Sequence, residues 1–206
     1  YKDIIERHGI KNHALMKHLV KYCFSNMATS ASITKLYNDF KSQGFKLGKD
    51  TLFDYFSYLS EAFAVFSVPV FRNSVREEKR NPKKIYAVDN GFKSVFDVSL
   101  SSDMGRLYEN AAFLHLRRKS KEVYYFLQDR EVDFYCRAEN EKTVANISYD
   151  ITHPETRKRE LNGLVQALHY FGCEQGVLLT REQEETVTQG GKTINILPLW
   201  KWLLTS

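Results

Sequence analysis

The chain has 206 residues, 43% hydrophobic and 27% charged, which excludes a disordered chain and leaves room for one large or two small domains. Its net charge of +5 permits an acidic partner without demanding one. Three cysteines (Cys23, Cys136, Cys173), far apart and odd in number, exclude a disulfide framework and a metal finger; with no apolar run of membrane-spanning length and no signal peptide, a reducing, cytoplasmic setting away from membranes is expected. The opening YKDIIERHGI lacks a Met and reads as a cut from a longer protein.

The first half reads as helical. Asn12 is placed to cap a helix running to about Phe24, with Leu15, Leu19, Tyr22 and Cys23 on its inner stripe. Residues 26–32 are small and polar and read as a loop. Ser32 caps a second helix, with Ile33, Leu36, Tyr37 and Phe40 at helical spacing, which Gly44 ends. After the turn FKLGK, Asp50 or Thr51 caps a third helix with the stripe Leu52, Phe56, Leu59 and Phe63. Two β-like runs, 64–71 and 84–88, flank a polar loop. Three helices, a Gly-containing turn and a hairpin suggest a winged helix-turn-helix over residues 1–90.

In such domains the third helix is the usual DNA reader. Here its exposed side offers Lys49 beside Asp54 and Glu61, and acids repel phosphate. DNA contact therefore falls to the wing loop (Arg72, Arg76, Lys79, Arg80, Lys83, Lys84) and to a second basic edge of Lys41, Lys46 and Lys49. The alternative is a solvated loop on a domain that binds protein or links domains.

VDNGF (88–92) marks the domain boundary, and a connector runs on to Met104. The second domain, 91–206, reads α-β-β-β-α-β-β: a helix at 105–118, strands at 122–127, 131–137 and 143–151, a helix opening at Pro154 and closed by Gly172, and strands at 173–180 and 193–199. Residues 181–192 read as a polar excursion with a Gly-Gly turn, and Trp200 and Trp202 as core anchors in a short closing helix. The fold class is α+β, a mixed sheet flanked by helices behind the helical domain. Arg157 and Lys158, in the first turn of the Pro154 helix, either meet a phosphate or form a solvated charged turn. No phosphate-binding or dinucleotide glycine motif is present, and the six histidines are scattered.

Glu109 is the residue out of place in this pattern. Ala112, Phe113 and Leu116 stand three, four and seven residues on, so the carboxylate lies on a mostly apolar helix face, where it needs a partner. On the next-but-one strand Glu131, Asp133 and Tyr135 share a face, and on the strand after that Asn146, Ser148 and Asp150 do. A helix carboxylate followed by a strand carboxylate is a layout suited to Mg²⁺ and phosphate. It resembles the PD-(D/E)XK nuclease fold. The resemblance aligns Glu109 with the helix Glu and Asp133 with the strand Asp, as candidate metal ligands, while Asn146 and Ser148 stand where the family has Glu/Gln and Lys. An amide is a poor metal ligand and a serine cannot replace the lysine, so a vestigial site or a structural ion pair is expected. A live nuclease using Mg²⁺, with Asp150 as a third ligand, is the alternative.

The stretches DIIERHGI (3–10), TLFDYFSYLSEAF (51–63), NPKKIYAVDNGF (81–92), GRLYENAAFLHLRR (105–118), EVDFYC (131–136), ISYDIT (147–152), TRKRELNGL (156–164) and LPLWKWLL (197–204) carry a wider resemblance. In order and spacing they are similar to the C-terminal region, a domain of unknown function, of a group of bacterial and archaeal AAA-type P-loop ATPases. That resemblance implies a P-loop domain, with ATP and Mg²⁺, before Tyr1, no cofactor within these residues, and a winged helix followed by a nuclease-like domain. The expected role is binding DNA or a protein partner on behalf of that motor.

Overall fold

A computed structural model describes residues 2–74, 76–77, 81–96, 104–138 and 141–204. Helices α1 (Lys2–His8) and α2 (His13–Ser25) open the chain. Asn12 caps α2 as expected: its Oδ1 accepts the Leu15 N–H at 3.0 Å. Leu15, Leu19 and Cys23 are buried beneath it. Ser32 caps α3 (Ile33–Ser42) through the Lys35 N–H at 3.2 Å. Helix α4 (Lys49–Glu61) begins directly after Gly48, ahead of the residues expected to cap it, and no side chain caps it. Its buried stripe is Leu52, Tyr55 and Leu59; Phe63 is left 68% exposed, just past the helix end with φ +55°. That left-handed residue ends the helix in place of glycine, with the Ala64 N–H closing back on the Leu59 carbonyl at 3.0 Å.

The segment read as a loop after α2 holds a short strand, β1 (Thr29–Ala31). It pairs antiparallel with β3 (Lys83–Ala87), Thr29 opposite Ile85, in a sheet of order β1-β3-β2, where β2 is Val65–Pro69. Three residues carry too little pattern to read; the distant partner makes the strand. Helix α5 (Gly91–Phe96) lies beyond the expected boundary and still belongs here, because Phe92 and Phe96 stack on Phe24 at 4.7 and 5.6 Å.

The chain divides into two units, Tyr1–Val68 with Arg80–Ser102, and Pro69–Lys79 with Asp103–Ser206. Part of the expected wing loop thus belongs to the second unit. Val70 bridges to Tyr125, and the Phe71 ring sits among Tyr124, Tyr135 and Phe171 at 5.0–5.6 Å. An aromatic side chain beside such a cluster is better buried there than exposed on a loop tip.

The second unit is a six-stranded mixed sheet of order β4-β5-β6-β7-β9-β8. Helix α6 (Met104–Lys119) leads into the antiparallel strands β4 (Glu122–Leu127), β5 (Glu131–Ala138) and β6 (Glu141–Ile147). Helix α7 (Pro154–Phe171) crosses over to β7 (Gln175–Thr180), parallel to β6. Strand β9 (Lys192–Pro198) runs parallel to β7, and helix α8 (Leu199–Leu204) follows it. Strand β8 (Glu185–Gln189) forms the edge, antiparallel to β9, within the stretch expected to be an excursion. Alternation along β5 puts the two helices on opposite faces: Phe134 stacks with Phe113 of α6, and Tyr135 stacks on Phe171 of α7 at 3.7 Å. Trp202 reaches His115 at 4.7 Å, but Trp200, expected as a core anchor, is 60% exposed. All three cysteines are free and buried.

Candidate functional site

At one end of this sheet lies a cleft of about 470 Å³. Glu109 enters its lining from α6, Asp133 from β5, and Asn146 from β6. The first turns of α7 add Glu160, which the sequence reading missed, and Arg159. Arg106 and Arg130 complete the basic part of the rim.

The buried members are bonded to one another. Asp133 and Asn146 face each other across β5 and β6: the Asp133 N–H donates to Asn146 Oδ1 at 2.9 Å, and the Ile147 N–H donates to Asp133 Oδ2 at 2.9 Å. Asn146, only 3% exposed, donates through Nδ2 to Glu160 Oε2. The other Glu160 oxygen accepts from Arg159 Nε at 3.0 Å and Nη2 at 2.6 Å. Burial pushes the Glu160 carboxyl above its ordinary range, and the Asp133 charge pushes the same way; Arg159 and Asn146 oppose them. The guanidinium beside Glu160 therefore acts as the built-in counterion of a carboxylate otherwise poorly placed in the core.

The candidate residues separate accordingly. Glu109, Asp133 and Asn146 line the same cleft. Ser148 and Asp150 do not join them. Strand β6 ends at Ile147, so alternation no longer fixes their direction, and Ser148 Oγ donates to the Asp150 carbonyl at 3.2 Å. The Asp150 carboxylate accepts the Thr152 N–H at 2.8 Å, a bond that holds it below the usual carboxylate range. The signal for Glu160 was in the sequence and identical to that for Glu109: it stands four residues before Leu164, on the buried stripe of its helix.

A divalent ion needs several carboxylate or carbonyl oxygens free to point at one centre. Asn146 Oδ1, one Asp133 oxygen and both Glu160 oxygens instead accept hydrogen bonds from the chain itself. Among the described residues, no group of three His, Cys, Asp or Glu side chains is arranged to hold a metal ion. Four of the oxygens that would have to face Mg²⁺ are thus already engaged within the chain, a donor set poorly suited to that ion.

The basic candidates also divide. Arg72 donates to the Phe71 and Leu127 carbonyls at 3.0 and 3.1 Å, within the second unit. Lys84, expected as a DNA contact of the wing loop although the β-like run 84–88 begins with it, lies within β3 and is 2% exposed. Arg157 is bound bidentately by Glu185 at 2.5 and 2.9 Å, which raises the guanidinium pKa further; this partner is on the strand that was not foreseen. Lys79 and Arg80 fall outside the described residues. Lys83 is half-buried; Lys46, Lys49, Arg76 and Lys158 are exposed. No helix among the described residues is long and apolar enough to cross a membrane.

Residues 1–100 match a family described as Domain of unknown function (DUF8612). An uncharacterized protein of Methanocaldococcus jannaschii is 31% identical over 217 aligned residues, covering 100% of this chain and 48% of the relative. An uncharacterized protein of Haemophilus influenzae is 23% identical over 203 residues, covering 98% of this chain and 49% of the relative. The chain thus spans about half the length of the curated relatives it matches. No solved structure matches.

Proposed function

We propose that this chain is a DNA-binding accessory region of a longer AAA-type ATPase, made of a winged helix and a nuclease-like domain whose site no longer cleaves. The observation that carries the non-cleaving part is the circuit through Asn146, which joins the Asp133 main chain to Glu160 and Arg159 where metal ligands would be needed. Hydrolysis of a phosphodiester in such a site calls for an ion that acidifies water and a base beside it. Asn146 and Ser148 supply neither. The winged-helix reading is supported by the order α2-β1-α3-α4-β2-β3 together with the sheet order β1-β3-β2. The nuclease-like reading is supported by α6, the β4-β5-β6 antiparallel meander and the α7 crossover to parallel β7. ATP and Mg²⁺ belong, in this proposal, to a preceding P-loop domain of the longer protein.

The test is the affinity of the chain for duplex DNA as salt is raised, in Mg²⁺ and in EDTA. Binding that weakens steeply with salt, is equal in EDTA and leaves the duplex intact is the expected result. No binding at low salt overturns the DNA reading. Nicked product in Mg²⁺ alone would instead establish the rival, an active metal-dependent endonuclease on Glu109 and Asp133.

A second reading has its own support. The outward side of α4 carries Asp50, Asp54 and Glu61 around Phe53, which is 61% exposed. An apolar ring among acids suits a protein partner better than phosphate. A protein-binding or assembly module is the conclusion if duplex DNA is ignored.

A further inference from the structure

The turn between α3 and α4 gathers cations on one edge of the first unit. Lys41 follows Tyr37 by four residues and so lies on the same face of α3, one turn on. Its Nζ sits 5.6 Å from the centroid of the Tyr37 ring. Lys49, the first residue of α4, brings its own Nζ to 5.5 Å from the same ring. Lys46 is exposed between them, and Thr34 and Asn38 add exposed polar groups along α3. Among the described residues, Lys41, Lys46 and Lys49 form no ion pair with a carboxylate.

The backbone that presents them is pinned. Gly44 takes φ +89°, the Phe45 N–H returns to the Phe40 carbonyl at 3.1 Å, and the Phe45 ring lies 4.7 Å from His18. The ring of Tyr37 draws two ammonium groups together that would otherwise repel each other. An anion outside the molecule relieves that repulsion. Two other basic candidates are less suited: Arg72 is bonded to carbonyls and Lys84 is buried, while the outward side of α4 is acidic.

We infer that the α3–α4 turn edge, formed by Tyr37, Lys41, Lys46 and Lys49, is the surface that engages the phosphate backbone of duplex DNA, and that α4 does not read the major groove. Binding by this edge is independent of base sequence, since phosphate contacts carry no sequence information. The inference rests on the DNA-binding reading above.

The test compares the whole chain with the triple variant Lys41→Gln, Lys46→Gln, Lys49→Gln and with Lys119→Gln, Lys121→Gln, on two duplexes of unrelated sequence across a salt series. All five substituted side chains are exposed, and an unchanged melting temperature confirms that each variant folds. The expected result is that the triple variant binds both duplexes at least about tenfold more weakly at low salt, with the log–log salt slope reduced by roughly 2 to 3, the value for three lost phosphate contacts. The double variant is expected to bind like the unmodified chain. Unmodified DNA affinity in the triple variant overturns the inference and leaves the DNA reading standing. A strong preference of the unmodified chain for one duplex overturns it too. Failure of the unmodified chain to bind either duplex removes the DNA reading and the inference together.

Discussion

Asn146 and Glu160 show how a single amide ties the groups of a carboxylate cleft to one another. Asn146 accepts from one neighbour and donates to the other, so both ends of its side chain are used. Asn146→Ala leaves the Asp133 N–H and a buried Glu160 oxygen without that partner. The expected cost is about 1–3 kcal/mol, read as a drop in Tm of roughly 2–4 °C per kcal/mol for a chain of this size. Glu160 supplies a pH signature. Its folded carboxyl titrates above its unfolded value, so between the ordinary Glu pKa of about 4.3 and the raised one the folded state holds more protons than the unfolded. Stability from this group therefore falls as pH rises through that window. Denaturant unfolding of the chain and of Glu160→Gln at a series of pH values checks it. The stability difference, unmodified minus variant, is expected to decline from pH 4 upward and then to level; a difference flat in pH contradicts the burial argument.

Elements with a strong internal pattern formed where their residues put them, and those without one were made by neighbours. The caps of α2 and α3 and the buried stripe of α7 follow directly from Asn12, Ser32 and the Leu161, Leu164, Leu168 spacing. Strand β8 has no apolar alternation, because an edge strand with few side chains in the core needs none; its pairing with β9 and the Arg157–Glu185 bond hold it. The turn joining β8 to β9 depends on Gly190, which has φ +57° and where a Cβ would stand 2.8 Å from Val165 Cγ1 of α7. Gly190→Ala meets both a backbone penalty and a clash. A loss of about 1–2 kcal/mol is expected, measured by denaturant unfolding, and an unchanged midpoint would show that the turn relaxes freely.

The division of the chain into two units follows an aromatic cluster as well as a linker composition. The strands β2 and β3 of the first unit are separated by residues 69–79, which run with the second. Phe71 is the anchor of that excursion, with its ring against Tyr124, Tyr135, Tyr170 and Phe171. Phe71→Ala is expected to cost about 3 kcal/mol, at the lower end for a partly covered aromatic, and to lower the Tm by several degrees. A neutral result would mean that the segment is held by its hydrogen bonds, such as those to the Tyr125 and Leu127 carbonyls, and not by the ring. The cut expected at residue 90 followed a turn signal, Asp89-Asn90-Gly91, that is real but local; α5 beyond it stays on α2 through Phe92 and Phe96.

Periodicity was enough to identify the long helices, the caps of α2 and α3 and the β4-β5-β6 run, because those depend on residues a few positions apart; the grouping of Glu109, Asp133 and Asn146 was expected from the nuclease resemblance. Only the tertiary structure decided the rest. It brought Glu160 and Arg159 onto Asn146 from a helix that follows β6, turned Ser148 and Asp150 away where that strand ends, paired Thr29–Ala31 with a strand more than fifty residues on, and placed Phe71 in the second unit. Each of these is a contact between segments distant in sequence, and its strength resides in a partner that local pattern does not contain.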